Sequence, residues 1–205
     1  MTTLLAIDTA APRLALALLR ADGVLDALVE PMDQGQAERL FPAIGELLAR
    51  NGAAYADLDR IAVTTGPGSF TGLRIGLSAA RGVGLALAIP VLGIPSLLAL
   101  SLGRGSGQVA VLLDAKRGEA YVQLFSAAAL PSGPAALLPM EEARVLVPRD
   151  ADLVTSPLVD MAALARFAAT ADPAVFPPDA AYIRTADAKP QDKFRIAKIA
   201  GDVVA

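Results

Sequence analysis

Five positions of the stretch 72–88, spaced four apart, carry almost no side chain: Gly72, Gly76, Ala80, Gly84 and Ala88. On a helix this spacing lays a ridge of small residues along one side. Each interior glycine costs a helix about 1 kcal/mol relative to alanine. Such a ridge is kept where another backbone must approach more closely than ordinary side chains allow. The neighbour is either the protein's own sheet and adjacent helix or a helix of a partner. A four-residue ridge drifts around the helix, so it can serve both.

The ridge opens from a glycine loop, Thr65-Gly66-Pro67-Gly68-Ser69-Phe70-Thr71-Gly72-Leu73-Arg74-Ile75-Gly76, fed by an apolar run from Arg60 to Thr65. Glycines and the free N–H groups of a helix start suit an anion. The loop is nevertheless no P-loop: five residues separate Gly66 from Gly72, Leu73 follows, and the phosphate-reaching lysine is missing. Ser69 does not stand in a Gly-x-Ser-x-Gly elbow either. A nonspecific anion site or a tightly packed junction remains.

Composition removes whole classes of chemistry. The 205 residues include no His and no Cys. Ser-His-Asp triads, Cys-His pairs, His/Cys zinc sites and disulfides are therefore unavailable to this chain. A net charge of −3 gives no overall attraction for nucleic acid. The first residues, Met1 to Asp8, lack a basic segment and meet a carboxylate too early for a signal peptide, so a cytoplasmic location is expected. Gly82 to Gly103 is a charge-free run of 22 residues, long enough for a bilayer. Pro90 and Pro95 split it, and it reads as helix end, buried strand (90–93) and second helix (95–102), with no membrane span.

The first third reads strand (4–9), strand (13–20), strand (24–30), helix (36–50), strand (60–65), helix (72–88). Ala37, Leu40, Phe41, Ile44, Leu47 and Leu48 share one face of the 36–50 helix, and Asn51-Gly52 ends it. A related pattern restarts at 108–114, with a turn at 115–118 and a strand at 119–126. Val111-Leu112-Leu113-Asp114 thus echoes Leu5-Ala6-Ile7-Asp8. The order predicts a mixed α/β fold of two related lobes, 1–103 and 104–205, the second reduced. Residues 127–139 read as Ala/Pro-rich linker, 161–169 as a helix, and from Ala188 the tail is basic, with Lys189, Lys193, Arg195 and Lys198 against Asp192.

Asp8-Thr9 and Asp114 stand at strand ends before hairpins, where two-lobed actin-like ATPases place carboxylates that hold Mg²⁺ through water. A small ATPase or kinase using Asp8 and Asp114 is one reading. Against it, the second lobe has no Gly-Gly element to lie against an adenosine. Strand ends before turns also favour Asp and Thr without any ligand. The basic tail reads as a solvated end or as a contact for RNA phosphate or protein.

Four segments in this order resemble the TsaB (YeaZ) family: Leu5-Ala6-Ile7-Asp8-Thr9, Gln36-Ala37-Glu38-Arg39-Leu40-Phe41-Pro42, the Gly66–Gly76 loop, and Asp114-Ala115-Lys116-Arg117-Gly118-Glu119-Ala120-Tyr121. The resemblance spans residues 3 to about 126 and touches Tyr182-Ile183-Arg184 near the end. It implies the two-lobed actin-like ATPase (ribonuclease H-like) fold with catalysis lost. It also implies a subunit of the bacterial machinery that adds threonylcarbamoyl to adenosine 37 of tRNAs reading codons that begin with A. The expected partners are a TsaD-like catalytic paralogue and a TsaE-like ATPase, with tRNA reached through the complex and self-association through the same surface. ATP and Mg²⁺ would be used by those partners, with none expected to bind this chain directly. By resemblance the pairing surface lies on the helices 36–50 and 72–88, with Ala37, Leu40, Phe41, Ile44, Gly72, Leu73, Arg74, Gly76, Ala80 and Gly84 as its candidate residues. Asp8, Thr9 and Asp114 would be remnants of a phosphate site, with no catalytic and no metal-binding residue. Gln36 stands where many relatives carry His.

Overall fold

In the computed structural model, which describes residues 2–181 and 183, the first sheet has five strands: β1 (Leu4–Asp8), β2 (Arg13–Leu19), β3 (Leu25–Pro31), β4 (Arg60–Thr64) and β5 (Val91–Ile94). Their spatial order is β3-β2-β1-β4-β5. The β1–β2 and β2–β3 pairs are antiparallel, while β1–β4 and β4–β5 are parallel. Helix α1 (Gln36–Arg50) links β3 to β4, and α2 (Phe70–Leu87) links β4 to β5. Parallel neighbours require such crossovers, and tight turns suffice for the antiparallel ones. Tyr182, Arg184 and the basic tail from Ala188 lie outside the described residues.

Every residue of β1 and β2 is buried, so neither strand alternates apolar with polar. The cause is cover on both faces. Leu5, Ile7, Leu14, Leu16 and Leu18 point toward α1 and α2. Leu4, Ala6, Ala15, Ala17 and Leu19 point into a second core shared with α3 (Ser96–Ser101) and the later elements.

The second sheet contains β6 (Val109–Lys116), β7 (Glu119–Ala127), β8 (Leu130–Pro131), β9 (Ala136–Pro139) and, after helix α4 (Met140–Val145), β10 (Asp152–Val154). Its order is β10-β6-β7-β8, with β9 also on β7. The β6–β7 hairpin and the parallel β10–β6 pair repeat the β1–β2 hairpin and the parallel β4–β1 pair. The echo between Asp8 and Asp114 is therefore structural, and the molecule has the two-sheet, actin-like α/β fold.

Residues 127–139 correct the linker expectation. Ala136–Pro139 pairs antiparallel with Glu119–Val122. Ala136, Leu137 and Leu138 are only partly buried and Pro139 is exposed, so the strand shows no period in the sequence. Helix α5 (Met161–Thr170) crosses back: Met161, Leu164, Ala165 and Ala168 join the core over β1 and β2. The charge-free run 82–103 resolves into the end of α2, β5 and the buried α3. Among the described residues no helix is long and apolar enough to cross a membrane.

Candidate functional site: the glycine loop, the strand-end carboxylates and the helix face

The loop after β4 is pressed onto the exit of β1. The Ser69 amide donates to the Ala10 carbonyl at 2.8 Å, and Ser69 Oγ accepts from the Gly72 amide at 3.2 Å. The start of α2 is thus capped by its own serine. A Cβ on Gly68 would stand 2.8 Å from both Cβ and O of Ala10, and one on Gly72 would run into the Thr9 carbonyl oxygen. The glycines are explained by close packing of backbone on backbone.

The ridge continues that contact. A Cβ on Gly76 would lie 2.5 Å from Thr9 Oγ1 and 3.3 Å from Val63, and one on Gly84 would strike the Val91 side chain. Ala80 is fully buried in the same layer. The ridge therefore faces β1, β4 and β5, which resolves the choice left open by its spacing. Of the ten candidate interface residues, Leu40, Ile44, Gly72, Leu73, Gly76, Ala80 and Gly84 are buried in the protein's own core. Ala37, Phe41 and Arg74 are exposed.

What remains outside is a different set. Phe41 on α1 is 50% exposed, and Phe70 and Leu85 on α2 are 54% and 85% exposed. Arg74 lies over the Phe70 ring, 3.8 Å from its centre. A shallow depression of ≈ 390 Å³ runs along Phe70, Thr71, Arg74, Ile75 and Ser78. Arg39 pairs with Glu30 of β3 at 2.6 Å, which fixes that flank of α1 toward the sheet edge. The helical period then turns Ala37 and Phe41 to the opposite flank, beside α2. Gly45 on α1 and Gly82 on α2 have open space where a side chain would be. Sequence reasoning missed Phe70, Leu85, Gly45 and Gly82. The available signal was an apolar or small residue on the side of each helix opposite its core stripe.

The three remnant positions fare differently. Asp8 is 1% exposed; its Oδ1 accepts from Thr64 Oγ1 at 2.8 Å and from the Ala10 amide at 3.1 Å. Burial pushes its carboxyl above the usual carboxylate range, against the hydrogen bonds of Thr64 and Ala10 and the nearby Arg13 charge. Arg13 Nη2 stands 3.6 Å from Asp8 Oδ2 and donates to the Val159 carbonyl. Thr9 Oγ1 donates to the Gly72 carbonyl at 2.7 Å. Asp114 is exposed, and its Oδ1 accepts from the Lys116 amide at 2.7 Å while Lys116 Nζ pairs with Oδ2 at 3.1 Å. The backbone and side-chain hydrogen bonds from Lys116 hold the Asp114 carboxyl below its ordinary range. Asp8, Asp114 and the Pro67-Gly68-Ser69 loop line one cleft of ≈ 630 Å³ between the sheets.

Comparison with known proteins gives a consistent picture. The family model for TsaD, tRNA N6-adenosine threonylcarbamoyltransferase, matches residues 30–129. The chain is 34% identical over 122 residues to the Escherichia coli tRNA threonylcarbamoyladenosine biosynthesis protein TsaB, covering 58% of this chain and 52% of that protein. The match thus spans about half the length of that curated relative. A Pseudomonas aeruginosa protein described as similar to the peptidase YeaZ superposes with a TM-score of 0.76 at 30% identity, over 90% of this chain and all of that one. YeaZ from Pseudomonas aeruginosa superposes with a TM-score of 0.70 at 32% identity, over 82% of this chain and 92% of that one. With a solved YeaZ matched over 92% of its length at 32% identity, and with the curated TsaB name on a relative matched over 52% of its length, the chain belongs to the TsaB (YeaZ) family.

Proposed function

We infer that this protein serves tRNA threonylcarbamoyladenosine synthesis as a noncatalytic subunit that docks on a TsaD-like partner through the outer faces of α1 and α2. The observation that carries the docking surface is the set of exposed apolar side chains on those adjoining helices, Phe41, Phe70 and Leu85. An exposed aromatic beside a shallow depression, here Phe70, is what a partner helix buries as an anchor. Gly45 and Gly82 leave room for that helix to come close. A TsaE-like ATPase and tRNA are met through the assembly, and a second copy of the chain competes for the same face. The family name of the relatives supports the pathway; the surface itself supports the role.

The cleft supports the noncatalytic part. Mg²⁺ bound with a nucleotide needs carboxylates free to take its waters. Here Asp8 faces Arg13, Asp114 faces Lys116, and the Thr9 hydroxyl is committed to Gly72. This donor set does not suit a Mg²⁺–nucleotide complex. Submillimolar binding of ATP and Mg²⁺ in calorimetry, abolished in Asp8→Ala, would reinstate the ATPase reading.

Docking is tested with Phe41→Ala and Gly82→Leu, measured by calorimetry and by light scattering after size exclusion with a purified TsaD-like partner. Each is expected to weaken association about tenfold or more, equivalent to about 1.4 kcal/mol, without unfolding the protein, and Gly82→Leu without lowering the unfolding midpoint. Unchanged affinity in both would remove this face as the interface. Gly76→Leu is unsuited to the purpose, because its side chain would enter the core beside Thr9 and Val63.

A further inference from the structure

The first sheet ends in β3 on one side and β5 on the other. At β5 the later chain lies along the edge, with the Gly93 amide donating to the Phe176 carbonyl at 2.9 Å. At β3 no described strand pairs with the outer side.

Which groups of β3 face outward follows from its pairing with β2. The Arg20 amide donates to the Val24 carbonyl, and the Met32 amide donates to the Pro12 carbonyl. In the register of this antiparallel pair, the even-numbered residues of β3 therefore bond inward to β2. Leu25, Ala27 and Val29 turn their amides and carbonyls to the open side. Among the described residues their outward amides meet no acceptor, and only the Ala27 carbonyl meets a donor.

An open edge of this kind is a template for another strand, and a second copy of β3 suits it. Laid antiparallel about a two-fold axis at Ala27, residue 27 faces its own counterpart and Leu25 faces the counterpart of Val29. Every outward amide of Leu25, Ala27 and Val29 then meets a carbonyl. Pro31, which has no N–H, lies outside the paired run, and Asp26 stands opposite the counterpart of Leu28 instead of a like charge. Val29, 49% exposed, would be covered in the process.

One side chain occupies the centre of that arrangement. Arg50 is the last residue of α1, and its Nε and Nη2 donate to the Asp26 carboxylate at 2.5 and 2.8 Å. Its Nη2 also donates to the Ala27 carbonyl at 2.8 Å. Asn51 Nδ2 donates to the same carboxylate at 2.7 Å, which braces the group from behind. An added strand would run about 4.8 Å from β3. A guanidinium at hydrogen-bond distance from the Ala27 carbonyl fills the place that the incoming amide needs. In a two-fold pair the obstruction acts twice, once from each copy. We propose that Arg50 guards the β3 edge, preventing the first sheet from joining that of a second copy through β3–β3 pairing. The surface is a strand edge, separate from the outer helix faces, and it does not rest on docking.

The test uses the full chain, with light scattering after size exclusion over a range of concentrations and amide exchange at Leu25, Ala27 and Val29. In the parent these amides are expected to exchange fast at every concentration. Arg50→Ala is expected to tighten self-association about tenfold or more, since both central bonds are recovered. The same amides should slow as it associates. Adding Ala27→Pro removes the central donor at an edge position that tolerates proline, and is expected to restore the parent's behaviour. Should Arg50→Ala fail to fold, Arg50→Lys carries the test: its ammonium stays beside Asp26 without the planar fork, and a tightening of about threefold is expected. Self-association no tighter than the parent's would overturn the proposal. So would association that leaves these amides fast, association that survives Ala27→Pro, or amides already slow in the parent.

Discussion

Glycines that look alike in sequence do opposite things in this molecule. Gly72 lies where a methyl group would meet the Thr9 carbonyl, whereas Gly82 on the same helix has open space above it. Gly72→Ala is expected to destabilise by about 2–4 kcal/mol, since main chain rather than a flexible side chain must give way. Gly82→Ala is expected to stabilise by about 0.5–1 kcal/mol by removing the helix cost of glycine. Urea unfolding of both variants checks this, and equal shifts would contradict the packing described. Asp8 gives a second residue-scale expectation. Its carboxyl is raised by burial in the folded state, so the native state holds the proton more tightly than the unfolded chain. Its contribution is then most favourable below the ordinary carboxylate range near 3.8 and is lost as pH rises toward the raised value. Unfolding free energies of the parent and Asp8→Asn, compared from pH 4 to 7, should move in favour of the Asn variant as pH rises. A pH-independent difference would show that Asp8 does not titrate in this way. Sequence alone singled out Asp8, Thr9 and Asp114; in the structure Asp8 ends β1, Thr9 follows it, Asp114 lies two residues before the end of β6, and only the two aspartates line the cleft. Nothing in the sequence signalled that Arg13 and Lys116 would stand against the two carboxylates, because side-chain pairing is settled in three dimensions.

At the level of elements, what was legible followed from local pattern. Helix α1 runs over the expected 36–50 and Asn51-Gly52 stops it, but of the six apolar positions assigned to one face only Leu40, Ile44, Leu47 and Leu48 meet the core, while Ala37 and Phe41 are exposed. Helix α2 begins two residues before the expected 72, at Phe70, because Ser69 caps it. The period of its small ridge was legible, but not the partner of the ridge; the choice between own sheet and foreign helix depends on where β1 and β5 lie. Short elements held by distant pairing left no trace, as with β9 on β7 and β10 on β6. The segment after α5 is a further case. It runs along β5, with the Gly93 amide donating to the Phe176 carbonyl at 2.9 Å and the Ala181 amide donating to the Thr65 carbonyl at 2.8 Å. Any side chain on Gly93 meets the Pro177 carbonyl at 2.5 Å. Gly93→Ala should therefore lift this strap, seen as faster amide exchange at Ala181. Breaking the exposed Arg81–Asp179 pair with Arg81→Ala should have little effect, because exposed ion pairs contribute only about 0–1 kcal/mol. Equal exchange at Ala181 in the parent and Gly93→Ala would show that the strap is held elsewhere.

On the scale of the whole molecule, two sheets with the same hairpin-plus-parallel arrangement enclose a cleft, and the chain closes its core only at the end. The division expected near residue 103 separates the sheets, but α5 lies beyond it and covers β1 and β2. Arg60 ties the arrangement by donating to the carbonyls of Ala168 and Ala171 at the end of α5, each at 3.1 Å. A fragment ending at 103 would leave Leu4, Ala15, Ala17 and Leu19 without the helix that covers them. Burial of Met161 and Leu164 alone contributes about 1.5–3 kcal/mol each, a large share of the stability of an ordinary domain. The fragment 1–103 is therefore expected to lack a cooperative unfolding transition, to bind hydrophobic dye and to show poor amide dispersion in NMR. The fragment 1–181 should unfold cooperatively and keep its affinity for the partner, since α1, α2 and the helix covering the far face are all present. A cooperative 1–103 would mean that the first lobe closes its core without α5. In that case the docking face would stand on a unit that folds alone, and the second sheet would be free to serve the cleft.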